Sequence, residues 1–135
     1  MKMNAPHEVP LSSQAVAILK EIQPLTGHTP FVFYKATTAA KVINGDTLSK
    51  ALRSMGYQNK QTTHGFRHTV STLMNEHKTE MGIDWGGDSA KDVIESVLAH
   101  STGGKISATY NKAKYIPQRR KIMQWWADYL DGLRR

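Results

Sequence analysis

Thr62-Thr63-His64-Gly65-Phe66-Arg67-His68-Thr69-Val70-Ser71-Thr72-Leu73 decides how this chain is read. Either Thr62 or Thr63 can cap a helix here, because a threonine hydroxyl satisfies one of the amides left open at a helix start. At 100° per residue, Phe66, Val70 and Leu73 fall on one face, whereas His64, Arg67, His68 and Ser71 cluster on the opposite one. The stretch is therefore predicted as an amphipathic helix with an apolar side for a core. Its polar side has two readings, a reactive site or an ordinary solvated face.

Upstream, Glu8 to Leu11 reads as the end of a strand, and Ser12 or Ser13 can cap a helix with Ala15, Ile18, Leu19 and Ile22 inward. Pro24 and Gly27 close it. Phe31 to Tyr34 is a strand or an extended segment, and Lys35 to Gly45, lacking a clear period, reads as loop. Asp46 or Thr47 then caps a second helix, with Leu48, Ala51, Leu52 and Met55 inward and Gly56 ending it. Downstream, Asp84-Trp85-Gly86-Gly87-Asp88 is a glycine-rich loop; no P-loop lysine follows, which favours a surface insertion over a phosphate cradle.

Val93, Ile94, Val97 and Leu98 support a helix ending near His100. After a turn at Ser101 to Gly104, Lys105 to Tyr110 reads as a short helical segment. Pro117 fits the first turn of a last helix through Leu133, with Met123, Trp126, Leu130 and Leu133 as its apolar stripe. The predicted class is mainly α with a small β edge, an α+β chain.

A length of 135 residues leaves room for one domain and one hydrophobic core. With 39% apolar and 21% charged residues the chain reads as a folded globule rather than a disordered tail. It has no cysteine, which excludes a disulfide scaffold and any Cys-based metal site. No apolar run is long enough to suggest a membrane span. Eighteen Lys plus Arg against eleven Asp plus Glu give a net charge of +7, and Lys105, Lys112, Lys114, Arg119, Arg120 and Lys121 flank Tyr110. A polyanionic partner near that tyrosine is expected.

The same region holds groups suited to a phosphodiester. Arg67 is permanently cationic and offers a planar donor fork, and His64 and His100 can donate hydrogen bonds or move protons. Tyr110, ten residues after His100, can be a nucleophile. A phenol with a pKa of about 10 is a poor one at neutral pH, so it needs charge stabilisation and a proton acceptor. Each residue also has a duller reading: Arg67 as a surface ion-pair partner, His100 at a helix C-terminus, Tyr110 as packing, with Tyr115 a rival for its role. His64 and His68 at i and i+4 suit zinc, but Gly65 stands where a zinc hydrolase carries glutamate, and no third ligand is obvious.

The order of these residues resembles the catalytic domain of the tyrosine recombinases, the phage integrase family. In Lys2 to Leu11 a lysine precedes Val9-Pro10-Leu11, like the family's β-hairpin strand. Thr63 to Thr69 is similar to its His-x-x-Arg box, and Leu98-Ala99-His100 to its Leu-Gly-His box with alanine for glycine. Ala108-Thr109-Tyr110-Asn111 falls at the nucleophile, and Met123 to Leu130 is similar to the tail of satellite-phage-type prophage integrases.

The resemblance implies a fold like that of the DNA breaking-rejoining enzymes. It implies attack by Tyr110 to give a 3′-phosphotyrosyl intermediate, with Arg67 and His100 on the phosphate, His64 assisting proton removal and Lys2 as general acid. No ATP, metal or other cofactor is implied. Lys105, Lys112 and Lys114 would contact DNA. The implied partners are double-stranded DNA at an attachment site and other integrase protomers in a synaptic tetramer, with no membrane, in the cytoplasm of a bacterial host on nucleoid DNA. The family's first catalytic arginine precedes the lysine strand, so residues 1–135 are read as a partial catalytic domain without that arginine, the arm-binding domain or the core-binding domain. Such a piece is expected to bind DNA weakly and to be nearly inactive alone. The alternative is a non-catalytic DNA-binding or assembly remnant of a degenerate prophage integrase. Trp125, Trp126, Tyr129 and Leu130 offer apolar area for packing either within the chain or on a neighbouring protomer.

Overall fold

The computed structural model describes residues 7–98 and 115–134. In chain order these form helix α1 (Ser13–Thr26), strands β1 (Tyr34–Lys35) and β2 (Thr38–Val42), helix α2 (Asp46–Leu52), a π-helical turn (Arg53–Tyr57), and helices α3 (Thr63–Glu76), α4 (Ala90–Val97) and α5 (Ile116–Leu133). The α+β expectation holds at this level, mostly helix with one two-stranded antiparallel sheet. The described residues fall into two units, one of 7–13, 69–98 and 115–134, the other Gln14–His68. The division lies inside α3.

The larger unit holds the buried core. Met74, Val93, Ile94 and Ile122 are fully shielded, joined by Ile83, Val97 and Tyr115. On α4 the predicted Val93, Ile94 and Val97 are inward and joined by Glu95, while the helix ends at Val97 and the predicted Leu98, at its cap, is half-buried. On α5 the inward stripe is rotated from the expected one. Tyr115, Arg119 and Ile122 are buried, and of the expected stripe Met123 and Trp126 pack on the core, whereas Leu130 and Leu133 are 41% and 64% exposed. Among the described residues the last α5 position packed on the core cluster is Trp126.

The aromatic surplus of α5 is used inside this unit. Tyr129 stacks on Trp125 and Trp126 with ring centroids 5.2 and 5.7 Å apart, and His77 packs on Trp125 and Tyr129. Glu80 Oε2 lies 2.8 Å from His77 Nδ1 and completes the cluster. The glycine-rich loop is a fold element too: Gly86 and Gly87 have positive φ, Asp84 Oδ1 accepts the Gly86 N–H, and Trp85 packs on the core. Residues 8–11 carry no regular secondary structure and pair with no strand, so the expected strand end is not formed among the described residues.

In the smaller unit the segment expected to be loop contains β2. It pairs with β1 through Tyr34↔Val42 and Lys35↔Thr38 across an irregularity, and the Ile43 N–H adds a bond to the Phe33 carbonyl at 3.2 Å. Alternation was unreadable there because β2 exposes Ala39, Ala40, Lys41 and Val42 alike. Backbone pairing, not burial, makes the strand. Helix α1 runs through Pro24 to Thr26, and of its predicted stripe Ile18 is exposed while Ala15, Leu19 and Ile22 are half-buried.

Gly45, not Asp46 or Thr47, sits at the α2 cap position, leaving Asp46 in the first turn where its charge suits the helix dipole. Gly56, at φ 85°, stops the helical run as expected. None of residues 14–68 is buried, and Leu48, Met55, Tyr57 and Phe66 are about half exposed or more. Of the predicted apolar face of α3, Phe66 is exposed and Val70 packs on the core, while the residue of this helix that is buried is Met74, outside that face.

Burial therefore sets where truncation is felt. Ile94→Ala or Ile122→Ala should lower the unfolding free energy by about 2–5 kcal/mol, and Leu133→Ala should change it by less than about 0.5 kcal/mol. Urea unfolding of the three variants checks this; equal losses at Ile122 and Leu133 would contradict the rotated stripe.

Candidate phosphodiester site

Helix α3 is started by side chains that fold back on its first amides. Thr62 Oγ1 accepts the Gly65 N–H at 2.9 Å, which makes Thr62 the cap, and Gln61 Oε1 accepts the Thr62 N–H at 3.0 Å. Thr63 is held from the side, its hydroxyl 3.2 Å from Ser49 Oγ. A Cβ at Gly65 would collide with Gln61 Oε1 and stand 3.1 Å from Thr62 Oγ1. Gly65 thus leaves room for the folded Gln61, which accounts for a glycine within a helix.

The start of this helix carries two of the predicted site residues, His64 and Arg67, and His68 of the rival zinc pair. His64 and His68 are exposed, and Arg67 is half-buried, one turn after His64. Ser71 continues the same face in sequence but serves the fold: its hydroxyl donates to Glu95 Oε1 at 2.7 Å, on the buried side of α4. The polar face therefore divides into an exposed part at His64 and His68 and a packing part at Ser71. Among the described residues no three His, Asp or Glu side chains gather as metal ligands, so His64 and His68 have no third ligand there.

A second construction lies in the larger unit. Arg119, counted in sequence with the basic flank of Tyr110, has no exposed surface. Its Nη2 donates to the Glu8 carbonyl and lies 3.4 Å from His7 Nε2, which in turn is 3.2 Å from the Val97 carbonyl. Burial pushes the guanidinium pKa below its ordinary value, and the Glu8 charge opposes that shift. A guanidinium withdrawn from water persists only where acceptors meet its donors. Residues 7–8, the end of α4 and the first turn of α5 are consequently tied at one point.

Those tied stretches border, in sequence, the positions of three predicted site residues. Lys2 precedes His7, His100 follows Val97, and Tyr110 precedes Arg119. Lys2, His100, Tyr110, Lys105, Lys112 and Lys114 themselves lie outside the described residues. Tyr115, the rival tyrosine, is 4% exposed and belongs to the core cluster. Arg119 and His7 were missed as structural residues. The repeat Tyr115, Arg119, Ile122, Trp126, spaced 4, 3 and 4, is the sequence signal that marks Arg119 as inward.

The family described as "Phage integrase family" matches residues 1–116. The chain is 39% identical over 132 residues to the prophage integrase IntS of Escherichia coli (strain K12), covering 97% of this chain and 32% of that protein. It is 38% identical over 132 residues to the integrase of Shigella phage Sf6, with 97% and 32% covered. With the integrase of Enterobacteria phage P4 it shares 38% identity over 134 residues, 97% of this chain and 28% of that one. The chain thus spans less than one third of the length of these relatives. No solved structure matches it.

Removing the buried guanidinium strands the acceptors it satisfies. Arg119→Ala should cost about 1–3 kcal/mol of stability, whereas Arg120→Ala, at an exposed position, should change it by less than about 0.5 kcal/mol. Denaturant unfolding of the two variants measures the difference; indistinguishable values would return Arg119 to the solvated basic flank.

Proposed function

We propose, since this chain belongs to the phage integrase family, that it carries the strand-cleaving site of a site-specific DNA recombinase acting in prophage integration and excision. The observation that carries the reading is the capped start of α3, which holds His64 and Arg67 one turn apart with His64 exposed. Residues 1–135 are a partial catalytic domain in this reading. Duplex DNA is its substrate, and further protomers of the whole protein supply the other strands' sites.

The chemistry balances without an external energy source. Tyr110 Oη attacks the scissile phosphorus, a phosphorus–oxygen bond forms to the phenol, and the bond to the 5′ oxygen breaks. His64 takes the phenolic proton, and Lys2 gives one to the departing 5′ oxygen. Arg67 donates charge-assisted hydrogen bonds to the non-bridging oxygens, where charge builds in the transition state, and His100 adds another. A 5′ hydroxyl from the partner strand then attacks the phosphotyrosine, so one phosphodiester replaces another. Burial of Tyr115 supports Tyr110 as the nucleophile, because a phenol packed in the core is out of reach of DNA. Lys105, Lys112 and Lys114 hold the phosphate backbone and give binding without sequence information.

The family's first arginine and its DNA-clamping domains are the usual sources of further charge stabilisation and substrate positioning. The isolated chain should therefore bind DNA weakly and cleave it at a barely measurable rate. Its affinity should fall steeply between roughly 50 and 200 mM salt, since a net charge of +7 acts by releasing counterions from phosphates. Fluorescence anisotropy on a labelled duplex checks this, and a salt-independent affinity would contradict it.

Cleavage is tested by placing residues 1–135 in the integrase of Shigella phage Sf6 in place of the matching segment. On a nicked suicide substrate this chimera should form a protein–DNA adduct visible on a denaturing gel. Tyr110→Phe should abolish the adduct, Tyr115→Phe should retain it, and Arg67→Ala should slow its formation by about 10²-fold or more. An adduct that survives Tyr110→Phe and disappears with Tyr115→Phe would overturn the assignment.

A further inference from the structure

The turn between α2 and α3 forms a shallow groove of about 220 Å³ lined by Ser49, Arg53, Gln58, Asn59, Gln61 and Thr62. Every lining side chain is polar and none is acidic. Beside it, sharing Gln61, lies a wider hollow of about 520 Å³ with Leu52, Met55, Tyr57 and Phe66 in its wall. Three of the polar groups, Ser49, Gln61 and Thr62, are engaged in starting α3. The other three differ: among the described residues, the side chains of Arg53, Gln58 and Asn59 make no hydrogen bond or ion pair.

Their backbone is nevertheless held. The Tyr57 carbonyl accepts the N–H groups of Lys60 and Gln61 at 3.0 and 3.2 Å, and Asn59 sits at φ 62°. A fixed turn thus presents two carboxamides and a guanidinium with uncommitted donors and acceptors. Carboxamides carry no charge and add little to phosphate attraction, so phosphate gripping does not account for them. Their geometry suits base edges: an amide pairs two-fold with adenine N6 and N7, a guanidinium with guanine O6 and N7, and apolar groups meet the thymine methyl. All three chemistries lie along this one strip, in the unit that also holds His64 and Arg67.

We propose that this groove reads base edges of duplex DNA next to the phosphate held by Arg67, which makes Arg53, Gln58 and Asn59 specificity-determining residues. The proposal rests on the recombinase reading only for its ligand, DNA. It does not depend on the nucleophile.

The test uses the chain itself at low salt with a pool of duplexes of randomised sequence, sequencing the retained fraction. The wild-type chain should enrich a short base preference. Gln58→Ala and Asn59→Gly should each weaken it at separate positions by about tenfold while leaving affinity for the unselected pool within about twofold, because neither removes a charge. Glycine is the substitution at Asn59 because it keeps the left-handed backbone. Arg53→Ala should erase a guanine preference and also lower affinity, and Arg67→Ala should lower affinity with the preference intact. No enrichment by the wild type, or an unchanged preference in the Arg53, Gln58 and Asn59 variants, overturns the proposal. Enrichment that persists in a protein whose chimera never forms a Tyr110 adduct would overturn the cleavage reading alone. Absence of any DNA binding would overturn both.

Discussion

The buried guanidinium of Arg119 is the constraint on which the larger unit depends. A cation without exposed surface is costly unless donors are met, and here Nη2 meets the backbone carbonyl of Glu8 beside a histidine that also reaches the end of α4. The arrangement joins three parts of the chain far apart in sequence, residues 7–8, Val97 and Arg119. Apolar packing of Val93, Ile94, Val97 and Ile122 gives this unit its stability, but such packing is non-directional. The hydrogen bonds of Arg119 and His7 supply the direction, fixing how residues 7–8 lie in this unit.

Helix α3 is under a different pair of demands. Its later turns serve the core, with Met74 fully buried and Ser71 bonded to Glu95, while its start leaves His64 exposed. The cap resolves the conflict locally. Thr62 and Gln61 satisfy amides that burial would otherwise have to cover, so His64 can stand exposed at the start of a well-formed helix. Gly65 lowers intrinsic helix propensity by about 1 kcal/mol and in return leaves the space that Gln61 occupies. An arginine and a histidine one turn apart on such a turn suit the phosphodiester chemistry proposed for this family member.

Much of this was legible in the sequence where a single periodicity governs. The α4 face, the left-handed glycine at Gly56 and the start of α5 near Pro117 follow from helical spacing and turn chemistry, whereas on α3 the buried residue is Met74, outside the predicted face of Phe66, Val70 and Leu73. Legibility failed where backbone bonds or tertiary contacts override side-chain pattern. Strand β2 has no alternation to read, and the residues 8–11 that pattern as strand have no partner strand among the described residues. Arg119 was misread because its charge was weighed before its position in an inward repeat. At the site, His64, Arg67 and their shared face were visible from spacing, but Ser71 and Gln61 took roles that only the contacts of Glu95 and Thr62 reveal.

The central claim is that one phenol of this chain, Tyr110, becomes bonded to DNA at the phosphate that Arg67 grips. The most direct measurement is mass spectrometry of the peptides from a trapped adduct, digested after the DNA is trimmed to a few nucleotides. The account predicts a nucleotide-modified peptide whose fragment ions place the phosphodiester on Tyr110. A modification mapped to Tyr115, to a histidine or to a serine would contradict it.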